Sequence, residues 1–392
     1  MDFSILKENN NKNKVAIICV GFNRLEGLKR LIDSLLKANY NIDDVPLIIS
    51  IDCSGEKEVY NYAKNIIWPF GKKYVNIQKE RLGLKEHIFQ CGDLSKYFKA
   101  VIILEDDLYV SPFFYEYTLE VISAYKDSTL IAGFSLYAPE LNGFAGLPFI
   151  PLQNGSDVYL SQDVPTWGEC FTFSCWMDFK KWYSNYKEDD IKNSNMPEQI
   201  KSWERAWSKY FYTYVVRTNK YFIYPYNSYT TNFSDAGEHG LWTNNVQVSL
   251  VLEKKRPLLC TPENSLVKYD VYQNNECLYD VLGFSKDELI IDLYANVNVI
   301  RNQRYILTTK ILNHKVIQSY GLRLRPIELN IIQNIKGDEI YLYDLKTRER
   351  NDRQNFYIIV DYYLKGFNKK MLLGYVKNLF INKFRNKLLK SK

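Results

Sequence analysis

Between residues 15 and 125, short apolar runs alternate with segments whose apolar residues recur every three or four positions. Val15–Val20 is a continuous apolar run closed by Gly21, the pattern of a strand buried on both faces. Leu28, Leu31, Ile32 and Leu35 then share one helical face within Leu25–Leu36. Leu47–Ile51, ended by Asp52, predicts a second strand, and Glu56–Ile67, stopped before Pro69, a second helix. Tyr74–Ile77 predicts a strand, Leu84–Tyr97 a helix and Val101–Leu104 a fourth strand. Ser111 and Pro112 form an N-cap and first-turn pair for a helix reaching about Tyr125. This order implies an α/β fold: a mostly parallel sheet with helices on both faces. Ligands of such sheets sit outside the carboxyl ends of the strands. That rule singles out Asn23 and Arg24, Asp52, Arg81, and Glu105 to Asp107.

Residues 130–245 are rich in aromatics, Gly, Pro and Asn, and their periodicity is weaker. They read as long loops with helices at about Asp178–Tyr186 and Glu198–Thr218, completing a cleft. Strand-like runs at Leu289–Leu293, Arg304–Thr308 and Glu339–Leu342 predict a small accessory region. The expected division is a flexible N-terminus (1–13), two halves of a main domain (14–130 and 131–262), an accessory domain (263–366) and a basic tail (367–392).

The charge pattern changes the list of partners. The net charge is +6, but eight Lys/Arg and no acid lie in residues 369–392. The remainder holds 43 basic and 45 acidic residues, a near-neutral body with no electrostatic footprint for nucleic acid. Leu372, Val376, Leu379, Phe380 and Phe384 fall within a broad face of the tail, which predicts an amphipathic helix for an anionic membrane surface. Docking on the protein itself or on a subunit is the alternative. Seven cysteines without a CxxC pair argue against a disulfide framework or zinc ribbon and fit a reducing compartment. The polar start MDFSILKENNNKNK has no apolar signal core, and no run is long enough to span a bilayer. The expected location is cytoplasmic, peripheral on the inner membrane face.

The sharpest chemical signal is Glu105-Asp106-Asp107 at the end of the fourth strand. Three adjacent carboxylates repel unless a cation or solvent relieves them. A hard divalent ion does so and can bridge to a diphosphate. The alternative is an acidic loop leading into the helix at Ser111, whose positive end favours acids. Asp52 suits a ribose or base contact, or simply a βα turn. Arg81 and Lys85, after the third strand, suit a phosphate or base, or a solvated charge pair.

Val15–Arg24 (VAIICVGFNR), Ile49–Asp52, Arg81–Lys85 and ILEDDLYVSPFF together resemble the nucleotide-binding half of a GT-A glycosyltransferase. The stretch EDDLYVSPFFYEY is similar to one in the N-acetylglucosaminyltransferase I family, and the overall layout resembles bacterial family-2-type transferases. The resemblance covers roughly residues 14–245. It implies that Asp107 is the principal ligand of Mn²⁺ or Mg²⁺, with Glu105 and Asp106 beside it. It also implies that Asn23, Arg24, Asp52, Arg81 and Lys85 line the donor site. Pro165-Thr-Trp-Gly-Glu169 is similar to an acceptor-side motif, although Glu169 stands where that motif has Trp. Trp203-Glu204 resembles the Trp-acid pair that carries a catalytic base, with Glu in place of Asp, so Glu204 and then Glu169 are the candidate bases. Tyr224-Pro225 and the segment from Asn232 through Gly237 to His239 resemble the family's metal- or pyrophosphate-contacting loop, which points to His239.

The implied activity is metal-dependent, inverting transfer of a hexosyl or N-acetylhexosaminyl group. The donor is a nucleotide-diphosphate sugar, a UDP-sugar by preference, and the acceptor a hydroxyl of a surface glycan or lipid-linked glycan. A sugar-nucleotide nucleotidyltransferase would need a Gly-rich phosphate loop where this chain has Gly-Phe-Asn-Arg. A non-catalytic protein binding a glycan or partner on a degenerate GT-A fold is the remaining alternative.

Overall fold

The computed structural model describes residues 11–235, 246–263, 265, 267–297, 302–352, 358–366 and 368–389. Its first part follows the predicted alternation: β1 (Val15–Gly21), α1 (Leu25–Leu36), β2 (Leu47–Ile51), α2 (Lys57–Asn65), β3 (Lys73–Ile77), α3 (Leu84–Asp93) and β4 (Ala100–Glu105). After β5 (Leu108–Val110) and α4 (Phe114–Tyr125) come β6 (Ile131–Ser135), β7 (Leu141–Asn142), β8 (Leu147–Pro148), β9 (Val158–Ser161) and β10 (Glu169–Thr172). Then α5 (Phe173–Tyr183), α6 (Glu188–Lys192), α7 (Glu198–Ser202) and α8 (Ser208–Thr218) lead to β11 (Tyr221–Pro225), β12 (Thr230–Asn232) and β13 (Lys268–Tyr269).

One sheet collects nine of these strands in the order β13-β9-β11-β6-β10-β4-β1-β2-β3. Strands β3, β2, β1 and β4 are parallel. β10 runs antiparallel to both β4 and β6, and β11 is parallel to β6. β6 and β11 therefore point the same way as β4, and their carboxyl ends share one edge. This is the mostly parallel α/β sheet that the sequence predicts.

The segment read as loops contributes β6, β9, β10 and β11 to the sheet. These strands have four or five residues each. Their partners lie far away in sequence, so no local period announces them.

Alternation along β1 divides the interior in two. Val15, Ile17 and Cys19 face a core shared with α1 and α4, while Ala16, Ile18 and Val20 face one shared with α3, α5 and α8. Helices thus cover both faces. On α1, Leu28, Leu31, Ile32 and Leu35 are fully buried. Burying each contributes about 1.5–3 kcal/mol, which makes α1 a rigid platform.

The helix expected over Glu198–Thr218 is two helices. The backbone turns extended at Trp203 (φ −66°, ψ 127°) and helix resumes at Ser208. That break lets Trp203 lie against Phe144 and Tyr212, with ring centroids 6.4 and 6.0 Å away, and buries Trp207. Aromatic burial outweighs continuous helix here.

Beyond Tyr269 come α9 (Cys277–Leu282), β14 (Leu289–Asp292), β15 (Tyr305–Thr308), β16 (His314–Tyr320), α10 (Leu329–Ile332), β17 (Ile340–Arg348), α11 (Ile358–Leu364) and α12 (Lys369–Leu389). Strands β14, β15, β17 and β16 form a second sheet. Its buried residues Ile306, Leu307, Tyr341 and Tyr343 belong to the same hydrophobic cluster as the side chains under α5 and α8. The main sheet takes in Lys268–Tyr269, so its strands reach past the boundary expected at 263. Among the described residues no helix is long and apolar enough to cross a membrane.

Candidate active site

Where β4 ends, the chain turns through Asp106 and Asp107 into β5. The turn sits against the start of α1, and glycine makes this possible. A Cβ on Gly27 would fall 2.6 Å from the main-chain oxygen of Asp106. Asp106 is 3% exposed.

Arg24 stands at the N-cap of α1, one strand over. Its guanidinium donates to Asp106 Oδ1, to Asp107 Oδ2 at 3.3 Å and to the main-chain oxygen of Asp235 at 3.3 Å. One planar fork thus binds two carboxylates and a carbonyl. Asn23 beside it is exposed.

The acids feel each other and their burial. Burial pushes the Glu105 carboxyl up to about 8, and Asp107 and Asp106 add to the effect. Burial also raises Asp106, to about 6, against the pull of Arg24. Asp107 Oδ1 is buried and has no hydrogen-bond partner, while the Asp107 carbonyl accepts from Phe233 N at 2.9 Å.

Phe233 belongs to a strap lying over the acids. β12 pairs antiparallel with β5, Asn232 opposite Leu108. Asn232 is buried and its Oδ1 accepts from Ser234 N, which shapes the turn. Arg30, two turns along α1, ion-pairs with Asp235 and lies 3.9 Å from the Phe233 ring. Gly237 and His239 lie just beyond, outside the described residues.

Asp52 follows β2 and is 4% exposed. Its Oδ1 accepts from Cys53 N at 2.8 Å and Leu82 N at 2.9 Å, and its Oδ2 from Gly83 N at 2.9 Å. This carboxylate holds the β3–α3 loop in place. Arg81 in that loop is exposed, 4.9 Å from the Phe22 ring. Lys85 lies 3.1 Å from Glu86 and 5.3 Å from the Tyr210 ring.

The two candidate bases lie in opposite environments. Glu169 opens β10 between Ile103 of β4 and Ser135 of β6. It is 1% exposed, and neither carboxyl oxygen has a hydrogen-bond partner. Burial, then the nearby Glu105, hold its carboxyl well above the ordinary range. Such a site disfavours the charged carboxylate. Gly168 before it has φ +98°, and a Cβ there would meet Thr230 Cγ2 at 2.8 Å. Glu204 is exposed, in the break between α7 and α8 rather than on a helix. The end of α8 feeds β11, whose Tyr221 pairs with Ile131 at the start of β6. The start of α8 therefore faces the edge where the carboxyl ends lie, and Lys85 against Tyr210 confirms that end. Trp176 is core, its Nε1 donating to Asp93 at 2.7 Å, while Trp182 stacks on Tyr186.

The structure thus gathers Arg24, Asp106 and Asp107 into one contact network, with Glu105 near enough to act on them electrostatically. Asp52, Arg81 and Lys85 line the adjoining edge, and Glu169 lies beneath. Gly27, Arg30 and Asp235 were missed in the sequence. Gly27 carried a signal, a glycine inside a helical period. The two others carried none, because they meet across 205 residues.

Among the described residues, no three His, Cys, Asp or Glu side chains form a closed metal set. The all-oxygen acids and the unpartnered Asp107 Oδ1 do fit a hard divalent ion that takes its other ligands from a diphosphate and water.

No protein-family model and no curated protein matches the chain. Solved structures match in part. Staphylococcus aureus TarS 1–349 in complex with UDP-GlcNAc is 16% identical over 58% of this chain and 60% of that one, with a TM-score of 0.36. GalNAc-T7 with UDP, GalNAc and Mn²⁺ is 15% identical over 55% of this chain and 43% of that one, TM-score 0.37. The mannosyltransferase PcManGT from Pyrobaculum calidifontis, in complex with GDP-Man and Mn²⁺, is 9% identical over 47% and 52%, TM-score 0.32. The chain spans about half of each of these proteins.

Proposed function

We propose that this protein is a glycosyltransferase that takes a sugar from a nucleotide-diphosphate donor, a UDP-sugar by preference. The observation that carries this reading is the acidic turn Glu105–Asp107 at the carboxyl edge of a parallel sheet. There Asp107 presents an unpartnered buried oxygen beside the Arg24 fork. Donor phosphates would lie above the ends of β1 and β4, with the nucleoside toward β2 and β3. Asp52 holds the β3–α3 loop, and Arg81 and Lys85 on that edge supply cations for phosphate or base.

Asp107, flanked by Glu105 and Asp106, would hold Mn²⁺ or Mg²⁺, which neutralises charge on the departing diphosphate. His239 is assigned to the same shell. Glu204 is the base we assign: as an exposed carboxylate at this end, it is able to take the acceptor hydroxyl's proton in inverting transfer. Glu169, buried, instead shapes the floor. The acceptor is a glycan or lipid-linked glycan. The apolar residues of α12 do not gather on the single face expected: exposed Met371, Leu373, Tyr375, Val376, Leu379 and Phe380 lie all round the helix. What supports docking on an anionic membrane surface is their exposure in a segment with cations and no acids.

The test is thermal-shift screening with UDP, GDP, CDP and dTDP, each with Mn²⁺ and with EDTA. A nucleotide at 100 times its Kd stabilises by about 2.7 kcal/mol. The expected result is a Mn²⁺-dependent shift with one nucleotide, lost in Asp107→Ala, followed by transfer from its sugars. Folded protein that shifts with none of them sinks the reading and favours a non-catalytic binding protein.

A further inference from the structure

Resting on that reading, we infer that Arg24 is a resident cation on the acidic turn, which a divalent ion must displace and which then turns to the donor diphosphate. Metal binding is thereby made conditional on the donor. Three observations carry this. The fork of Arg24 already binds both Asp106 and Asp107, so the site meets an incoming metal neutralised in part. The remaining oxygen, Asp107 Oδ1, is buried and unpartnered. The two oxygens of one carboxylate are close neighbours, so a cation on Oδ1 would stand within a few ångströms of the guanidinium on Oδ2. At that distance in a half-buried site, a doubly charged ion and an arginine repel strongly. Metal binding is therefore opposed while the fork stays in place.

Arg24 also has a place to go. It comes from the first turn after β1, at the edge where phosphates lie in sheets of this kind. Guanidinium matches a phosphate as well as a carboxylate. Its third bond, to the Asp235 carbonyl, ties the strap to the same group, so displacing Arg24 also releases a hold on the strap root. Arg30 keeps its own ion pair with Asp235. Donor and metal thus bind in favour of each other, and by linkage each strengthens the other equally.

The experiment is Mn²⁺ titration read by the electron paramagnetic resonance signal of the free ion. It compares wild type, Arg24→Met and Arg24→Lys, each without nucleotide and with saturating UDP. Breaking one charge-assisted bond is worth roughly tenfold or more in affinity. Without nucleotide, Arg24→Met is expected to bind Mn²⁺ at least tenfold more tightly than wild type, with Arg24→Lys between them. UDP should tighten Mn²⁺ binding strongly in wild type and far less in Arg24→Met. Equal Mn²⁺ affinity of wild type and Arg24→Met without nucleotide overturns the inference. So does a UDP effect of the same size in both. If Arg24→Met does not fold, Arg24→Lys binding no tighter than wild type overturns it. The arm without nucleotide reads Arg24 alone, so failure of every nucleotide to bind speaks against the transferase reading and leaves this measurement intact.

Discussion

Gly27→Ala sets two effects of opposite sign against each other. In an exposed helix the change gains about 1 kcal/mol. In α1 the new Cβ falls 2.6 Å from the Asp106 carbonyl oxygen and 3.6 Å from Arg24 Cβ. Carbon–oxygen contacts begin near about 3.3 Å, so roughly 0.7 Å must open. Neither side yields readily. Leu28, Leu31, Ile32 and Leu35 seat α1 in the core, and the obstacle is main chain rather than a mobile side chain. Overpacking of this kind costs about 1–3 kcal/mol, so the steric cost exceeds the propensity gain and a net loss of about 1 kcal/mol is expected. The displaced turn should also weaken the Mn²⁺-dependent nucleotide shift. Urea unfolding followed by tryptophan fluorescence measures the first effect, and thermal shift the second. Gly374→Ala on α12 is the reference, because its Cβ meets nothing within 4 Å. That variant should show propensity alone, as a rise in helical ellipticity. If Gly27→Ala is more stable than wild type and keeps its nucleotide shift, the close approach of α1 to the acidic turn is refuted.

Two further predictions concern protons and lipid. Burial holds the Glu169 carboxyl above its ordinary value of 4.5 in the folded chain. Above that pH the folded state binds more protons, so this group's contribution to stability declines as pH rises. Asp163 and Asp270, raised by burial to about 6 and about 7, act in the same direction from about pH 4 upward. Glu169→Gln removes one share, so its melting temperature should fall less than wild type's between pH 5 and 9; equal slopes would contradict a proton held on Glu169. The full chain should sediment with vesicles containing anionic phospholipid and much less with neutral ones, binding should weaken as salt rises, and removal of residues 369–392 should abolish it. Sedimentation that survives the truncation places the lipid contact elsewhere.

The first half of the sheet and the location of its acids are legible in the local pattern of residues. Aliphatic runs such as Val15–Val20 and Leu47–Ile51 are local signals, and a βα order leaves one edge for a ligand. Glu105 to Asp107 therefore belong to that edge on pattern alone. Tertiary structure decided what those groups do there. Arg24 and Asp107 meet across 83 residues, and nothing local reveals that the cation already sits on the acids. The Glu169 carboxyl is pushed up because β10 inserts between β4 and β6, a pairing set by long-range burial. Asp52 suits a ligand or a βα turn on its sequence alone, and the fold engages its carboxylate with three loop amides. Glu204 left its predicted helix because Trp203 and Trp207 gained more from burial than the helix lost. Periodicity reports which face of an element is apolar. Charge state depends on what lies a few ångströms away in space, and that is set by how the strands pair.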